Sequence, residues 1–303
     1  MEKEQFVVRF WGTRGSYPVP GPSTVRYGGN TTCVEVQVGN QVIIIDAGTG
    51  IINLGHEMMH RAHEHGNKPI VATILLTHMH HDHTQGFPYF IPAYVGTSTL
   101  HILGPRTFDQ EIEEILNHAV LPPSFPVSLH EMPSIKVIRS LLGSEMVLID
   151  QEHGGVNIHN IYHDYVEHAP EMIAIKIHKS YAHPKSGTYI YRIDWKGKSV
   201  VFASDTEGYV DTDRRLVNFA NDADLIIHDA QYTEEEYALK KQGWGHSTPQ
   251  MACDVARLAN AKRLVLFHHE PLYNDEKIAE IERQAQELYP NTIAAYEGLE
   301  IAL

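Results

Sequence analysis

Residues 70–83 read IVATILLTHMHHDH. The first seven, 70–76, are apolar except for Thr73, a run of the length and β-branched content of a strand buried on both faces. The polar cluster THMHHDH, 77–83, follows at once and holds four good metal ligands, His78, His80, Asp82 and His83. Imidazole and carboxylate suit zinc, manganese or iron. Alternate residues of an extended segment point the same way, so His78 and His80 can share one ion. A turn and a helix starting near His83 then let Asp82 and His83 address a second ion a few ångströms away.

One segment cannot complete two sites, and three other apolar runs end in the same residue types. VVFASDT delivers Asp205, LIIHDAQ delivers His228 and Asp229, and LVLFHHEP delivers His268 and His269. In layered sheets, ligand groups gather outside strand ends. Four strands ending in His or Asp predict one shared site.

The chain has 303 residues and a formal net charge of −14, with 43% hydrophobic and 20% charged residues. That composition is globular, and the length suits one large layered domain or two smaller ones. No apolar stretch reaches the 18–20 residues of a membrane span. The start, MEKEQFVVRFWGTRG, lacks the basic and apolar regions of a secretion signal. With only Cys33 and Cys253 there is no disulfide framework, so the expected location is cytoplasmic. The acidic charge argues against gripping a long polyanion, so no long nucleic acid and no membrane is expected as partner. The 21 histidines ask for a chemical reason.

Outward from the motif, strands are predicted at 6–10, 32–38 and 42–46, the last two joined by a Gly39–Asn40 turn, and a helix at 51–65. A Gly- and Pro-rich loop separates the first two strands. Later strands are predicted at 188–194, 199–203, 224–228 and 263–267, with helices at 212–221, 248–260 and 275–288. The tail TIAAYEGLEIAL reads as a closing strand pair. Between 105 and 180 the pattern is least legible. Phe108, Ile112 and Ile115 suggest a helix near 107–119, and 135–150 and 156–162 suggest strands. Mixed strands and helices in two similar halves predict sheets with helices packed outside.

THMHHDH, with IIIDAGTG upstream and ASDT downstream, resembles the metallo-β-lactamase superfamily over most of the chain. The resemblance implies an α/β fold, a four-layer αββα sandwich in one domain over residues 1–303. Within it, the segment at about 105–180 is expected to form a lid or a dimer contact. It also implies two divalent metal ions, zinc first, with manganese or iron as alternatives, and hydrolysis by a hydroxide bridging them. Carried over residue by residue, His78 and His80 resemble ligands of the first ion, and Asp82 and His83 ligands of the second. Asp205 resembles the bridging carboxylate. His268 matches the last histidine ligand, with His269 as fallback. Asp46 resembles a support for the loop. For the remaining histidine we choose His183, which precedes a strand, over His178 and His168. His178 falls in the alternation of Ile173, Ile175 and Ile177 and reads equally as an ordinary strand residue.

Within the superfamily, His80 stands where redox di-iron members usually carry Glu, and His83 is present where class B β-lactamases usually lack it. The later segment GWGHST, 243–248, is not shared with glyoxalase II-like thioesterases. It resembles the phosphodiesterase branch, which includes tRNA 3′-end ribonucleases and cyclic phosphodiesterases. That resemblance makes His246 the group that contacts phosphate or protonates the leaving oxygen, oriented by Asp229. The same residues also read as a helix start, with Ser247 or Thr248 as cap and Pro249 in the first turn. The tRNA ribonucleases carry a long Gly/Pro-rich arm before the bridging aspartate, and the interval from His183 to Asp205 leaves no room for one. The cysteine count also disfavours the extra structural zinc of phosphonate-pathway cyclic phosphodiesterases. The expected activity is hydrolysis of a small cyclic or nucleotide-like phosphodiester by a homodimer. Lactone or thioester hydrolysis, or non-catalytic metal or nucleotide binding, are the alternatives.

Arg14 and Arg26 in the Gly-rich loop read either as phosphate donors or as loop salt bridges. Trp244 reads as a base-stacking group or as a packed loop anchor. Phe87, Tyr89 and Phe90 read as core or subunit contact. The run Glu234–Glu236 and the histidines at 56, 60, 63 and 65 read as solvated surface.

Overall fold

The structure, a computed structural model, describes residues 5–107, 110–123, 125–151, 155–164, 169, 171–183, 186–208 and 212–303. The first half contains β1 (Phe6–Gly12), β2 (Cys33–Val38), β3 (Gln41–Ile45), α1 (Gly50–Glu64), β4 (Val71–Leu75), α2 (His81–Thr84), β5 (Thr99–Pro105), α3 (Ile112–Ala119) and β6 (Ile135–Leu141). Then come β7 (Glu145–Ile149), β8 (Val156–Asn160), β9 (Ile173–Ser180), β10 (Thr188–Trp195), β11 (Lys198–Ala203), α4 (Arg214–Phe219), β12 (Leu225–Asp229) and α5 (Glu234–Glu236). The chain closes with α6 (Pro249–Leu258), β13 (Leu264–Phe267), α7 (Asp275–Leu288), β14 (Thr292–Ala294) and β15 (Glu300–Ala302).

The strands form two sheets, ordered β15-β1-β2-β3-β4-β5-β6 and β14-β13-β12-β11-β10-β9-β7-β8. Strands β3 to β6 run parallel, as do β11 to β14, and the other pairings are antiparallel. The parallel strands that carry the site are near-continuous aliphatic runs because both of their faces are covered. Val34, Val36, Ile43 and Ile45 of the first sheet meet Ile175, Tyr191, Phe202, Ile227 and Phe267 of the second in one core. The Phe202 and Phe267 rings stand edge to face at 5.4 Å. On the outside, Ile51, Leu54 and Met58 of α1 and Ile112 and Leu116 of α3 cover the first sheet. Leu216, Ala252, Val255, Ile278 and Ile281, from α4, α6 and α7, cover the second. Each fully buried aliphatic side chain contributes roughly 1.5–3 kcal/mol. The four layers are the expected αββα sandwich.

Most differences from the sequence reading lie at sheet edges. The stretch 135–150 is two strands, not one. The chain leaves β6 in the first sheet and enters β7 in the second within three residues. Residues 105–180 therefore build the far edges of both sheets. The tail strands do not pair with each other: β14 joins β13 and β15 joins β1, so the tail crosses from one sheet to the other. Strand β5 was not foreseen. The predicted helix at 107–119 narrows to α3, opened by a capping box of Glu111 and Glu114, and Phe108 lies outside the described residues. Among the described residues no helix is long and apolar enough to cross a membrane.

Candidate metal centre

The site lies where parallel strands of both sheets end. From the first sheet, β4 stops at Leu75, His78 and His80 follow on extended chain, and Asp82 and His83 sit in the single turn of α2. This run is braced by Asp46, which follows β3 with a left-handed φ of 62°. The Thr77 amide and hydroxyl donate to the Asp46 carboxylate, and His83 Nδ1 lies 2.7 Å from Asp46 Oδ2. Asp46 is thus a support, as expected. Its contact on Nδ1 leaves His83 Nε2 to face the site.

From the second sheet, His183 precedes β10, Asp205 follows β11, Asp229 ends β12 and His268 follows β13. Asp205 and His268 also take left-handed φ, 53° and 62°. Such a backbone costs on the order of 1–3 kcal/mol in a non-glycine residue and persists only where the surroundings hold it. Here it turns the side chain off the strand axis. His183 Nδ1 lies 3.1 Å from the Gly245 carbonyl, and His268 Nδ1 lies 3.1 Å from Gln231 Oε1. In each case the other ring nitrogen is free to face inward. Gly15 packs flat on the His268 ring, where any Cβ would come within 2.4 Å of it.

Four overlapping donor groups result among the described residues. Two bring in His246, with His183 and Asp205 or with Asp229 and His268. The two that hold the predicted ligands are His78 with His80 and His183, and Asp82 with His83, Asp205 and His268. Asp205 touches both. Its Oδ1 is 3.7 Å from His78 Nε2 and from His183 Nε2. Its Oδ2 is 3.1 Å from His83 Nε2 and 3.3 Å from His268 Nε2. The seven predicted ligands are therefore brought together, with Asp205 in the shared position.

These donors fit divalent cations. Among the described residues His78 Nε2 is buried with no hydrogen-bond partner, an arrangement that costs roughly 1–3 kcal/mol when nothing satisfies it. Burial pushes His78, His80 and His183 below the ordinary imidazole range, which keeps their lone pairs available. Burial acts against charge on His83 and His268 too, but the surrounding carboxylates, Asp205 first, together outweigh it and hold both rings above their ordinary range, His268 at about 9. Burial likewise opposes charge on Asp82 and Asp205, yet His83 and His268 keep both carboxyls well below theirs. Nitrogen and oxygen donors without sulfur match zinc, manganese or iron.

Beside the donors sits His246, its ring stacked on His268 at 5.0 Å and 16°. Its Nδ1 is 2.8 Å from Asp229 Oδ2. Asp229 is fully buried and takes three more donors, the amides of Asp205 at 3.0 Å, Ser247 at 2.9 Å and Gln231 at 3.2 Å. The short side chain reaches His246 because β12 ends directly beneath it. Thr248 caps α6 by accepting from the Met251 amide, with Pro249 first in the helix. Ser247 is used otherwise, its hydroxyl donating to the Thr206 carbonyl.

Other candidates go elsewhere. His178 faces outward from β9 against Phe219, and His168 lies outside the described residues. His269 faces away from the donors, its Nε2 on the Ala295 carbonyl, and burial pushes it down to about 3. His228 bonds the Asp229 carbonyl and joins neither group. Arg14 is no phosphate donor. It is fully buried and gives its guanidinium to the carbonyls of Gly28, Glu270 and Tyr273. Arg26 is exposed and lies over the Tyr27 ring. Trp244 is 56% exposed with Lys241 over its ring, so it is not a packed anchor. Phe87 and Phe90 are core, while Tyr89 is exposed. Sequence reasoning missed Ser16, whose amide donates to Asp82 at 2.7 Å, as well as Gln231 and Glu207. Adjacency to the strand-end motifs was the only signal for Gln231 and Glu207, and Ser16, in the loop after β1, had none.

The β-lactamase superfamily domain matches residues 41–269. The chain is 25% identical over 293 residues to ribonuclease Z of Pyrococcus horikoshii, covering 90% of this chain and 89% of that protein. In fold it is similar to the metallo-β-lactamase fold protein YhfI of Bacillus subtilis, with a TM-score of 0.67 at 17% identity, covering 99% and 100% of the two chains. It is also similar to the short form of human tRNase Z, with a TM-score of 0.64 at 21% identity, covering 97% and 98%.

Proposed function

The chain belongs to the metallo-β-lactamase superfamily, and from that premise we propose that this metal-dependent hydrolase cleaves a small cyclic or nucleotide-like phosphodiester. The observation that carries the reading is the His246–Asp229 pair, set against the His268 ring beside both donor groups. In this reading His78, His80 and His183 hold one divalent ion, and Asp82, His83 and His268 hold the other. Asp205 serves both. Zinc is the first choice, with manganese or iron as alternatives. When bound, the ions supply an activated water and positive charge for the phosphoryl oxygens.

The residues do the rest. Asp229 accepts from Nδ1 of His246, which fixes the ring and leaves Nε2 to carry a second proton. That proton passes to the departing oxygen, a contribution of about 10²–10⁴ in rate for general acids. The amino end of α6 begins three residues later and favours a nearby anion. Ribonuclease Z relatives support a phosphodiester, while this chain's own shape supports a small one. The β10–β11 hairpin takes up most of the interval between His183 and Asp205, where a tRNA arm would be needed. The charge of −14 also opposes a long polyanion.

Bis(p-nitrophenyl) phosphate tests the reading, offered to protein loaded separately with zinc and with manganese. Turnover that a chelator abolishes and either metal restores is the expected result. No turnover by fully loaded protein, together with cleavage of a lactone or thioester, overturns it.

A further inference from the structure

The geometry points to Glu207 as a positioning residue for proton delivery by His246, an inference that rests on the general-acid reading above. Glu207 lies two residues past Asp205 and is 9% exposed. Its carboxylate takes three donors. Oε1 accepts from the Gly243 amide at 2.7 Å and the Tyr237 hydroxyl at 2.8 Å, and Oε2 accepts from the Gly245 amide at 2.9 Å. Gly243 and Gly245 both have left-handed φ, 80° and 89°. This backbone makes no regular structure of its own and depends on outside partners to stay in place.

Two of those partners are carboxylates. Glu207 holds the amides of residues 243 and 245, and Asp229 holds the amide of 247 and the ring of His246. The loop is thus clamped from both sides, with His246 between the clamps. Asp229 fixes where the ring points, and Glu207 fixes the height of the backbone that carries it. The Gly245 carbonyl, set by the same clamp, meets Nδ1 of His183. A charge-assisted bond to a backbone amide is about twice as strong as a neutral one, so an amide or methyl in place of the carboxylate loosens this loop. Loss of register by an ångström is enough to cost a general acid much of its effect.

The test separates proton delivery from mere folding. Thymidine 5′-(p-nitrophenyl phosphate) and thymidine 5′-(phenyl phosphate) differ only in the leaving group. Phenolate needs a proton more than p-nitrophenolate does. Assayed at saturating metal, Glu207→Gln is expected to lower kcat on the phenyl ester at least tenfold and on the p-nitrophenyl ester less than threefold. His246→Ala is expected to give the same pattern, more strongly. A readout that needs no turnover is the downfield proton resonance of His246 Nδ1, identified by its loss in His246→Ala. It is expected to broaden or disappear in Glu207→Gln. Tyr237→Phe, which removes one donor, is expected to show a weaker form of each effect, and covers the case in which Glu207→Gln folds poorly. Equal loss on both esters at saturating metal, or an unchanged proton resonance, overturns the assignment to Glu207. If His246→Ala itself treats both esters alike, the general-acid reading falls, and the role of Glu207 falls with it.

Discussion

The two sheets supply the site in different ways. The first sheet gives four ligands from one short run, His78 to His83, after a single strand. The second gives its residues singly, His183, Asp205, Asp229, His246 and His268, spread over 86 positions. The contiguous run is braced locally, by Asp46 at the end of the neighbouring strand and by Thr77 within the run. The dispersed residues brace one another. Asp229 ties together Asp205, Gln231, His246 and Ser247, and the Gly245 carbonyl positions His183. A fault in the first half should therefore stay local, whereas a fault in the second should spread.

The largest effect tests that spread. His246→Ala removes the proton donor alone and is expected to cut turnover of an alkoxide-leaving diester by about 10²–10³ at full metal content. Asp229→Ala frees the same ring and also leaves the Asp205 amide without its acceptor. A greater loss of turnover than in His246→Ala is expected, accompanied by lower metal content. Kinetics with metal analysis on the two variants decides the matter. Equal losses with intact metal would mean that Asp229 serves His246 only, and the second half would be as local as the first.

The same contrast explains what the sequence allowed one to read. THMHHDH was legible because a strand's alternation and a turn place four ligands without any knowledge of tertiary structure. Asp205 and His268 were legible because each ends an aliphatic run. His183 was harder, since it precedes its strand and is positioned by the distant Gly245 carbonyl, so residue type and interval left His178 and His168 in play. Glu207 and Gln231 were invisible as site residues. Their roles consist of bonds to backbone amides and ring nitrogens that only the assembled loops bring near. Arg14 misled for a similar reason: a guanidinium in a glycine-rich loop suggests an anion, and only the fold shows three carbonyls waiting for it. The edges failed through strand pairing. Nothing local in 135–150 or 292–302 says that consecutive strands enter different sheets.

An intermediate effect tests the local bracing. Asp46→Ala removes the acceptor that keeps His83 Nδ1 occupied, and such outer partners are typically worth 10–100-fold in metal affinity. Affinity is expected to fall by that factor, with kcat recovered within about threefold at saturating metal. Competition with a coloured chelator measures the first and steady-state rates the second. Failure to recover at saturating metal would show that the first half also carries its faults into catalysis.

The smallest effect concerns the histidine that the sequence left in competition with His183. His178 shares β9 with core residues but turns its ring outward, 5.5 Å from Phe219, and its Nε2 is buried without a hydrogen-bond partner among the described residues. Burial lowers its basicity, so at neutral pH it sits there uncharged. A buried polar atom with no partner costs stability, and replacing it by an apolar group of similar size is neutral or favourable. His178→Leu is therefore expected to leave metal content and turnover within about twofold of wild type. Its Tm should be unchanged or about 2 °C higher, given that 1 kcal/mol moves a protein of 150–250 residues by about 2–4 °C. His183→Leu, by contrast, removes a ring that faces His80 Nδ1 at 3.0 Å and Asp205 at 3.7 Å, and metal content should fall with it. If His178→Leu lost metal instead, the dispersed half of the site would extend along β9, and the division between a locally braced half and a mutually braced one would have to be redrawn.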